Sequence, residues 1–481
     1  MTESADPRRW RVLAAVLAAG VMGPLDASII NVNLPTIAGF FHAPMSLAGW
    51  VPMAYLLVLS SLLLSYGRLG DMWGYRRLFL GGIILFVISS ALCGLSPSMG
   101  FLIGARALQA VGAGMFMAVI PAIITTTFPA SERGRALGLN GMSVAFGLAL
   151  GPSLGGAITG WWGWRWVFYI NVPIGIIGFF WSRRLLPPDR PRPTEHFDGL
   201  GAVLAFVTLF SFLLWVNRLP SWGLWSSTSL AVGLLALVGA ALFVLWERRV
   251  PQPMLDLSLF KNRLFSCANL AALFNFMSQY TLVFLTPFYL RDYLGLLPGQ
   301  VGLLMTAFPA VVLFTAPWSG ALSDRIGTRG LSILGASLCA VALGWLALGG
   351  SGGGAAAGGI TARVGSQAAE PLRLVVAGLA LFGLGTGIFQ SPNNSAVMGS
   401  VPRERTGIAS GVLSVIRNVG MVLGVALAGA IFASREAHYH AFVPALRDAY
   451  LAGALFTTLS ALLSIPGVRS QRKESRAGKS T

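Results

Sequence analysis

The chain has 481 residues, 55% of them hydrophobic and 11% charged, and a mean hydropathy of +0.71. A water-soluble protein of this size could not hide so much apolar surface, so the composition describes a polytopic membrane protein. The formal charge of +17 does not point to nucleic acid, because the basic residues come in short clusters between apolar runs and form no contiguous patch.

Apolar spans can be drawn near 12–38, 48–66, 78–95, 101–127, 136–159, 165–182, 199–217, 228–246, 265–288, 300–321, 331–349, 372–397, 406–433 and 448–466, fourteen in all. The tail before the first, Met1 to Trp10, is short and polar, and the run after it is too long and lacks a convincing cleavage site for a removable signal peptide. It reads as a retained first span. With the N-terminus inside, the inner segments collect clusters such as Arg8, Arg9 and Arg11, Arg76 and Arg77, Arg183 and Arg184, Arg248 and Arg249, and Arg472 and Lys473. The outer segments hold only Arg165, Arg218, Arg291, Arg363, Arg373, Arg435 and Arg447. That asymmetry puts both termini in the cytoplasm of a multi-pass inner (plasma) membrane protein. Cys93, Cys267 and Cys339 all fall in apolar spans, which implies no disulfide framework.

Span one carries L-D-A-S-I-I-N-V-N-L-P, Leu25 to Pro35, and its acid is the feature around which the rest is arranged. Asp26 lies 15 residues beyond Arg11, roughly 22 Å into a hydrocarbon layer about 30 Å thick. A charged group at such depth costs roughly 2.5 to 3.5 kcal/mol on the insertion scale. Apolar surroundings disfavour an ionised carboxyl, so an acid placed there can exchange a proton. The other acidic residues fall in loops, tails or span ends, leaving Asp26 as the one intramembrane acid. The plainer alternative is that Asp26 hydrogen-bonds a neighbouring helix or lines a wet vestibule. Gly20, Gly23 and Pro24 before it and Pro35 after it favour a bend or loosening of the helix. Asn31 and Asn33 on this span, and Tyr55 on the next, are candidate substrate contacts.

After span two comes G-R-L-G-D-M-W-G-Y-R-R, Gly67 to Arg77, read as a cytoplasmic turn in which Asp71 can pair with arginines or face a helix N-terminus. Gly67, Leu69, Asp71 and Gly74 recur with the same spacing as Gly320, Leu322, Asp324 and Gly327, and Gly138, Gly147, Gly151 and Gly156 recur as Gly411, Gly420, Gly424 and Gly429. The chain is therefore an internal repeat of two membrane halves of six spans each, with spans seven and eight inserted between them. The corresponding organisation is a first bundle over 1–183, a linker over 184–198, the inserted pair over 199–247, a second bundle over 248–466 and a basic tail over 467–481.

Span four places Arg106 and Gln109 one helical turn apart on one face. Arg106 is either a partner for the proton site or an anchor snorkelling towards the outer surface. On span five Gly147, Gly151 and Gly155 form a stripe beside Pro152 and Gly156, a pattern that permits close helix contact and by itself most often means packing.

The span-five pattern G-x8-G-x3-G-P-x2-G-G resembles the antiporter motif of drug exporters in the major facilitator superfamily, and the Gly67 turn is similar to that superfamily's loop between spans two and three. The Leu25 to Pro35 run and W-R-W-V-F-Y-I-N-V-P-I-G, Trp164 to Gly175, resemble the fourteen-span drug:proton antiporter branch, the EmrB/QacA-like group. The resemblance implies an all-α membrane protein with the major facilitator fold, two six-helix bundles plus two extra transmembrane helices, rocking around a central cavity. It further implies efflux driven by proton entry, with Asp26 as the matching membrane acid. The Gly67 turn would be a gating latch with Asp71, Arg76 and Arg77 in its matching positions, and Gly67, Gly74 and Asp324 join the span-five glycines as gating candidates. Met72 and Tyr75 stand where that loop usually carries basic residues.

Spans nine and twelve offer Gln279, Gln390 and Asn394 among Phe, Leu and Met residues, a lining suited to lipophilic molecules with a few hydrogen-bonding groups, or else a set of helix-to-helix polar contacts. The G-x-S-x-G match in the loop after Gly349 is low-complexity and has no strand-to-helix context. His438 and His440 have no further convincing metal ligands, and Lys473 occupies the position where a phosphate loop ending at Gly478 to Ser480 needs glycine. The expectation is a proton-coupled exporter of amphipathic small molecules, without cofactor or enzymatic activity, whose partners are a lipophilic substrate, protons and membrane lipids; a periplasmic adaptor stays open. A single deep acid suits lipophilic monocations or neutral compounds better than dications. The rival readings are a facilitator or importer of a metabolite with the same fold, and a non-transporting scaffold, disfavoured because no substantial soluble domain is present.

Overall fold

A backbone surrounded by hydrocarbon must satisfy its own polar groups, and the long apolar runs do so as helices. The computed structural model describes residues 8–189, 198–223, 225–250, 255, 257–349, 369–402 and 406–465, and among them there is no strand. The linker residues 190–197, the glycine-rich loop from 350 to 368, the tail from 466 and the side chains of Asp71 and Asp324 lie outside the described residues.

In chain order the α-helices are α1 (Arg9–Gly20), α2 (Met22–Phe40), α3 (Met45–Ala48), α4 (Trp50–Trp73), α5 (Tyr75–Gly94), α6 (Met99–Thr127), α7 (Ala130–Trp162), α8 (Trp166–Tyr169) and α9 (Asn171–Leu185). There follow α10 (Gly199–Trp222), α11 (Ser227–Glu247), α12 (Arg263–Phe288), α13 (Pro298–Met305), α14 (Ala307–Ile326), α15 (Thr328–Gly349), α16 (Ala369–Gly399), α17 (Thr406–Tyr439) and α18 (Phe442–Leu463). Among the described residues twelve helical segments are long and apolar enough to cross a membrane. The expected span near 165–182 folds as α8 and α9, the latter of 15 residues, and the span near 448–466 as α18, which carries Arg447 and Asp448; neither is among the twelve.

Local chemistry sets the ends. Ser98, Ser226 and Asn262 cap α6, α11 and α12 by accepting hydrogen bonds from first-turn amides, and Asp198 does the same for α10. The first expected span is interrupted at Val21, so α1 and α2 form one hairpin-free run with a loosened joint five residues before Asp26. The expected turn at Gly67 to Arg77 is corrected: α4 continues through Gly67 and Gly70 to Trp73, and only Gly74, with φ of +101°, turns the chain into α5. A β-carbon at Gly67 would meet nothing, so that glycine is simply accommodated in a helix, whereas Gly74 adopts a backbone conformation that other residues rarely take.

Two compact units result, one of Met1–Met254 with Leu290–Thr306, the other of Leu255–Tyr289 with Ala307–Thr481. In the first, α5 packs on α6 where Gly82 and Gly112 bring backbones together and Phe86 and Phe116 meet edge to face, 5.6 Å between ring centroids. Helix α7 lies along α2, and α13 lies along α7. The inserted pair α10 and α11 belongs to this unit: Trp246 donates to Asp198 at 2.8 Å, and Arg218 stands 4.8 Å from the Trp50 ring.

The second unit repeats these devices. Gly335 and Gly385 join α15 to α16 as Gly82 and Gly112 join α5 to α6, and Gly327, with φ of +89°, ends α14 as Gly74 ends α4. Gly74 and Gly327 are 253 residues apart, as are Gly82 and Gly335, while Gly112 and Gly385 are 273 apart, as are Gly147 and Gly420. Carried back to the first long helix of each half, the 253-residue interval pairs Asp26 with Gln279.

Candidate functional site

Helix α2 brings Asp26 to the interior of the first unit, where it has no solvent exposure. Helix α6 faces it with Arg106 and Gln109, three residues apart and so on one side of the helix. The Arg106 guanidinium pairs with Asp26 through Nη1 and Oδ2. On the other carboxylate oxygen, Oδ1 accepts from Gln109 Nε2 at 3.1 Å and from Asn171 Nδ2, at the start of α9, at 2.8 Å. Gln109 is held in turn by Ser90 Oγ, which accepts from Nε2 at 2.7 Å, and by Arg106 Nη1, which donates to its Oε1. Arg106 also stands 4.4 Å from the Tyr55 ring centroid, directs Nε at the Val51 carbonyl at 3.5 Å, and has the Phe168 ring 6.0 Å away.

Removing two charges from water costs several kcal/mol for each ion, and only close pairing with nearly complete hydrogen bonding offsets it. Here three donors converge on one carboxylate and an aromatic face covers the cation, a constellation that stabilises the ionised pair. With Asp26 ionised the three donors are used; with Asp26 protonated, Arg106 loses its counter-charge and the new O–H needs an acceptor. Asn171 Oδ1, buried and without a hydrogen-bond partner, is such an acceptor once the amide turns over.

The stripe on α7 lies against α2, the helix that carries the acid. A β-carbon at Gly147 would come within 3.1 Å of Leu25 N, at Gly151 within 3.0 Å of Ile29 N, and at Gly155 within 2.7 Å of Asn33 Nδ2. Gly156 faces α13 instead, where a β-carbon would sit 2.5 Å from the Pro298 carbonyl oxygen. Pro152 lies inside α7 between them.

Of the residues considered for substrate contact, Gln109 and Tyr55 lie in the charge cluster itself. Asn33 is buried and donates to the Ile29 carbonyl at 2.9 Å, beside Gly155, and Asn31 is buried on the same helix. In the second unit Gln390 donates to Gln279 at 3.3 Å, and Asn394 is half-buried on α16. Arg76 and Arg77 start α5, and their backbone amides donate to Asp189 at 2.8 and 3.0 Å. Arg76 also reaches the Arg183 carbonyl at 2.7 Å.

Three contributors escaped the sequence reading. Asn171 lay within the quoted Trp164 to Gly175 run, and a lone amide in an apolar, aromatic-rich stretch was the available signal. Ser90 carries no signal, since serines are common in such helices. Asp189 sits in the Pro-Pro-Asp start of the linker, 113 residues from Arg76, and only the fold shows that it caps α5.

A family model described as Major Facilitator Superfamily matches residues 16–248 and 268–480. The chain is 34% identical over 474 residues to the riboflavin transporter RibZ of Clostridioides difficile (strain 630), covering 97% of this chain and 99% of that protein. It is 35% identical over 412 residues to the multidrug resistance protein Stp of Mycobacterium tuberculosis (strain ATCC 25618 / H37Rv), covering 85% and 73%. The multidrug transporter protein MdtP of Bacillus subtilis (strain 168) is 28% identical over 438 residues, covering 90% and 77%. In fold the chain is similar to a D-xylose–proton symporter, with a TM-score of 0.66 at 15% identity over 95% of this chain and 98% of that one. With its membrane-length helices and transporter relatives over nearly its whole length, the chain is a multi-pass membrane transporter and not an enzyme, and it belongs to the Major Facilitator Superfamily.

Proposed function

We propose that this transporter is a proton-coupled exporter of amphipathic small molecules, of the fourteen-span drug:proton antiporter kind, working by alternating access with both termini in the cytoplasm. The observation that carries the reading is the buried Asp26 and Arg106 pair, braced by Gln109 and Asn171. A proton arriving from outside neutralises Asp26 and frees Arg106 from its counter-ion. Release of that proton inward restores the pair. A ligand or proton shifts a conformational equilibrium only by its differential affinity for the two states, and here the pair supplies the difference. Because α7 rests on α2 through backbone-close glycines, a change around Asp26 is felt directly by α7. Two multidrug proteins among the relatives support the substrate class.

The relative named as a riboflavin transporter, which matches end to end, favours a second reading: a facilitator or importer of a small metabolite. Proteoliposomes under an imposed pH gradient separate the two. The exporter reading expects substrate-dependent proton flux that Asp26→Asn abolishes while the variant still inserts and binds substrate. Substrate movement without proton movement in the unaltered protein establishes the facilitator instead.

A further inference from the structure

The second unit holds a cation that nothing above employs. Arg417 lies 11 residues into α17, roughly 16 Å along a helix that rises about 1.5 Å per residue. Its guanidinium carbon stands 5.1 Å from the Phe276 ring centroid, and Tyr280, one turn further along α12, is its electrostatic neighbour. Among the described residues no carboxylate pairs with it, in contrast to Arg106.

The side chain does not point at lipid. Gly420, on the same face of α17, is so close to α12 that a β-carbon there would lie 2.7 Å from the Leu273 carbonyl oxygen and 3.0 Å from Phe276 Cβ. Arg417 over Phe276 therefore belongs to the seam between α17 and α12, where it is half-buried. A single cation–π contact with Phe276 offsets only part of what it costs to hold an arginine inside a membrane helix. The remainder calls for water or a visiting anion.

The charges of the two units differ in what they leave open. In the first, the Asp26 carboxylate is already matched by Arg106. In the second, the residue at Asp26's repeat position is the neutral Gln279, hydrogen-bonded to Gln390 at 3.3 Å, and among the described residues Arg417 has no carboxylate partner. On the reading that the protein is a small-molecule exporter, we propose that Arg417 is the recognition cation of a substrate site in the second unit. The site takes planar aromatic molecules bearing a carboxylate, with Phe276 and Tyr280 as its ring wall and Gln279 and Gln390 as its hydrogen-bonding wall. This reverses the preference for monocations expected from a lone deep acid.

The test uses two dyes with one xanthene framework, anionic fluorescein and cationic rhodamine 123, in proteoliposomes of the full chain. Transport of each is measured for the unaltered protein, Arg417→Gln and Arg417→Lys. The ratio of fluorescein to rhodamine 123 transport is expected to fall at least tenfold in R417Q and less than threefold in R417K. A ratio does not depend on how much of the variant inserts. Equal loss of both dyes, or rhodamine 123 moving while fluorescein does not in the unaltered protein, overturns the assignment. Repeating the assay in purely zwitterionic lipid and with added phosphatidylglycerol separates substrate from headgroup: an R417Q effect seen only with the anionic lipid means that Arg417 holds a lipid phosphate, and the proposal fails. If both dyes move without proton flux but the R417Q ratio still falls, the coupling reading fails and the Arg417 site stands.

Discussion

Replacing Arg106 by Gln leaves Asp26 buried without a counter-charge, and breaking one side of a buried pair costs about 3 to 5 kcal/mol. The double variant D26N/R106Q removes both charges and should recover a large part of that loss in thermal unfolding of the detergent-purified protein, while proton flux stays abolished. Additive losses in that cycle would show that the pair is not coupled. Asn171→Leu deletes one donor to the carboxylate, a hydrogen bond to a charged group worth about 1.5 to 3 kcal/mol. It should lower the unfolding midpoint and reduce proton-coupled transport at least tenfold, whereas Asn171→Gln, which keeps both amide functions, should restore part of each. At this scale the burial of Asp26 is legible in the sequence, because an acid in the middle of a long apolar run is carried inside among the helices. Its partners are not: Arg106 could equally have snorkelled, and Asn171 and Ser90 reach the site from residues 145 and 64 positions away in the chain.

Helices meet where glycines let them, and the two glycine sets identified from sequence behave differently. Gly151→Leu should cut transport more than tenfold and destabilise by about 1 to 3 kcal/mol, the usual range for overpacking, because its β-carbon alone crowds Ser28 and Ile29. Gly67→Ala should be neutral or raise stability by up to about 1 kcal/mol, since Gly67 is mid-helix with open space around it. Transport and unfolding measured side by side check both. Asp189→Ala should cost about 0.5 to 2 kcal/mol by uncapping α5, with D189N intermediate. The stripe of Gly147, Gly151 and Gly155 was readable because helical periodicity places these residues on one face. Which neighbour fills the groove was not, since the period along one helix does not say which helix faces it. The Gly67 turn misled because glycine is a turn residue only where the backbone needs a positive φ, and here that is Gly74 alone.

For the molecule as a whole, the topology expectation is checked by single cysteines placed at residues 3 and 478 of a chain without its native thiols. An impermeant maleimide should label them only after the membrane is opened. Sequence alone determined that the chain spans a membrane many times as helices, because in hydrocarbon apolar length and backbone self-satisfaction leave no other choice for such a composition. It also determined the two-fold internal repeat, since recurrent spacing is a one-dimensional property. Tertiary structure decided what the repeat does not carry equally: a closed ion pair in one unit, and in the other a cation over the Phe276 ring. Long-range electrostatics depends on which side chains come within a few ångströms across the chain, and spacing along it does not encode that.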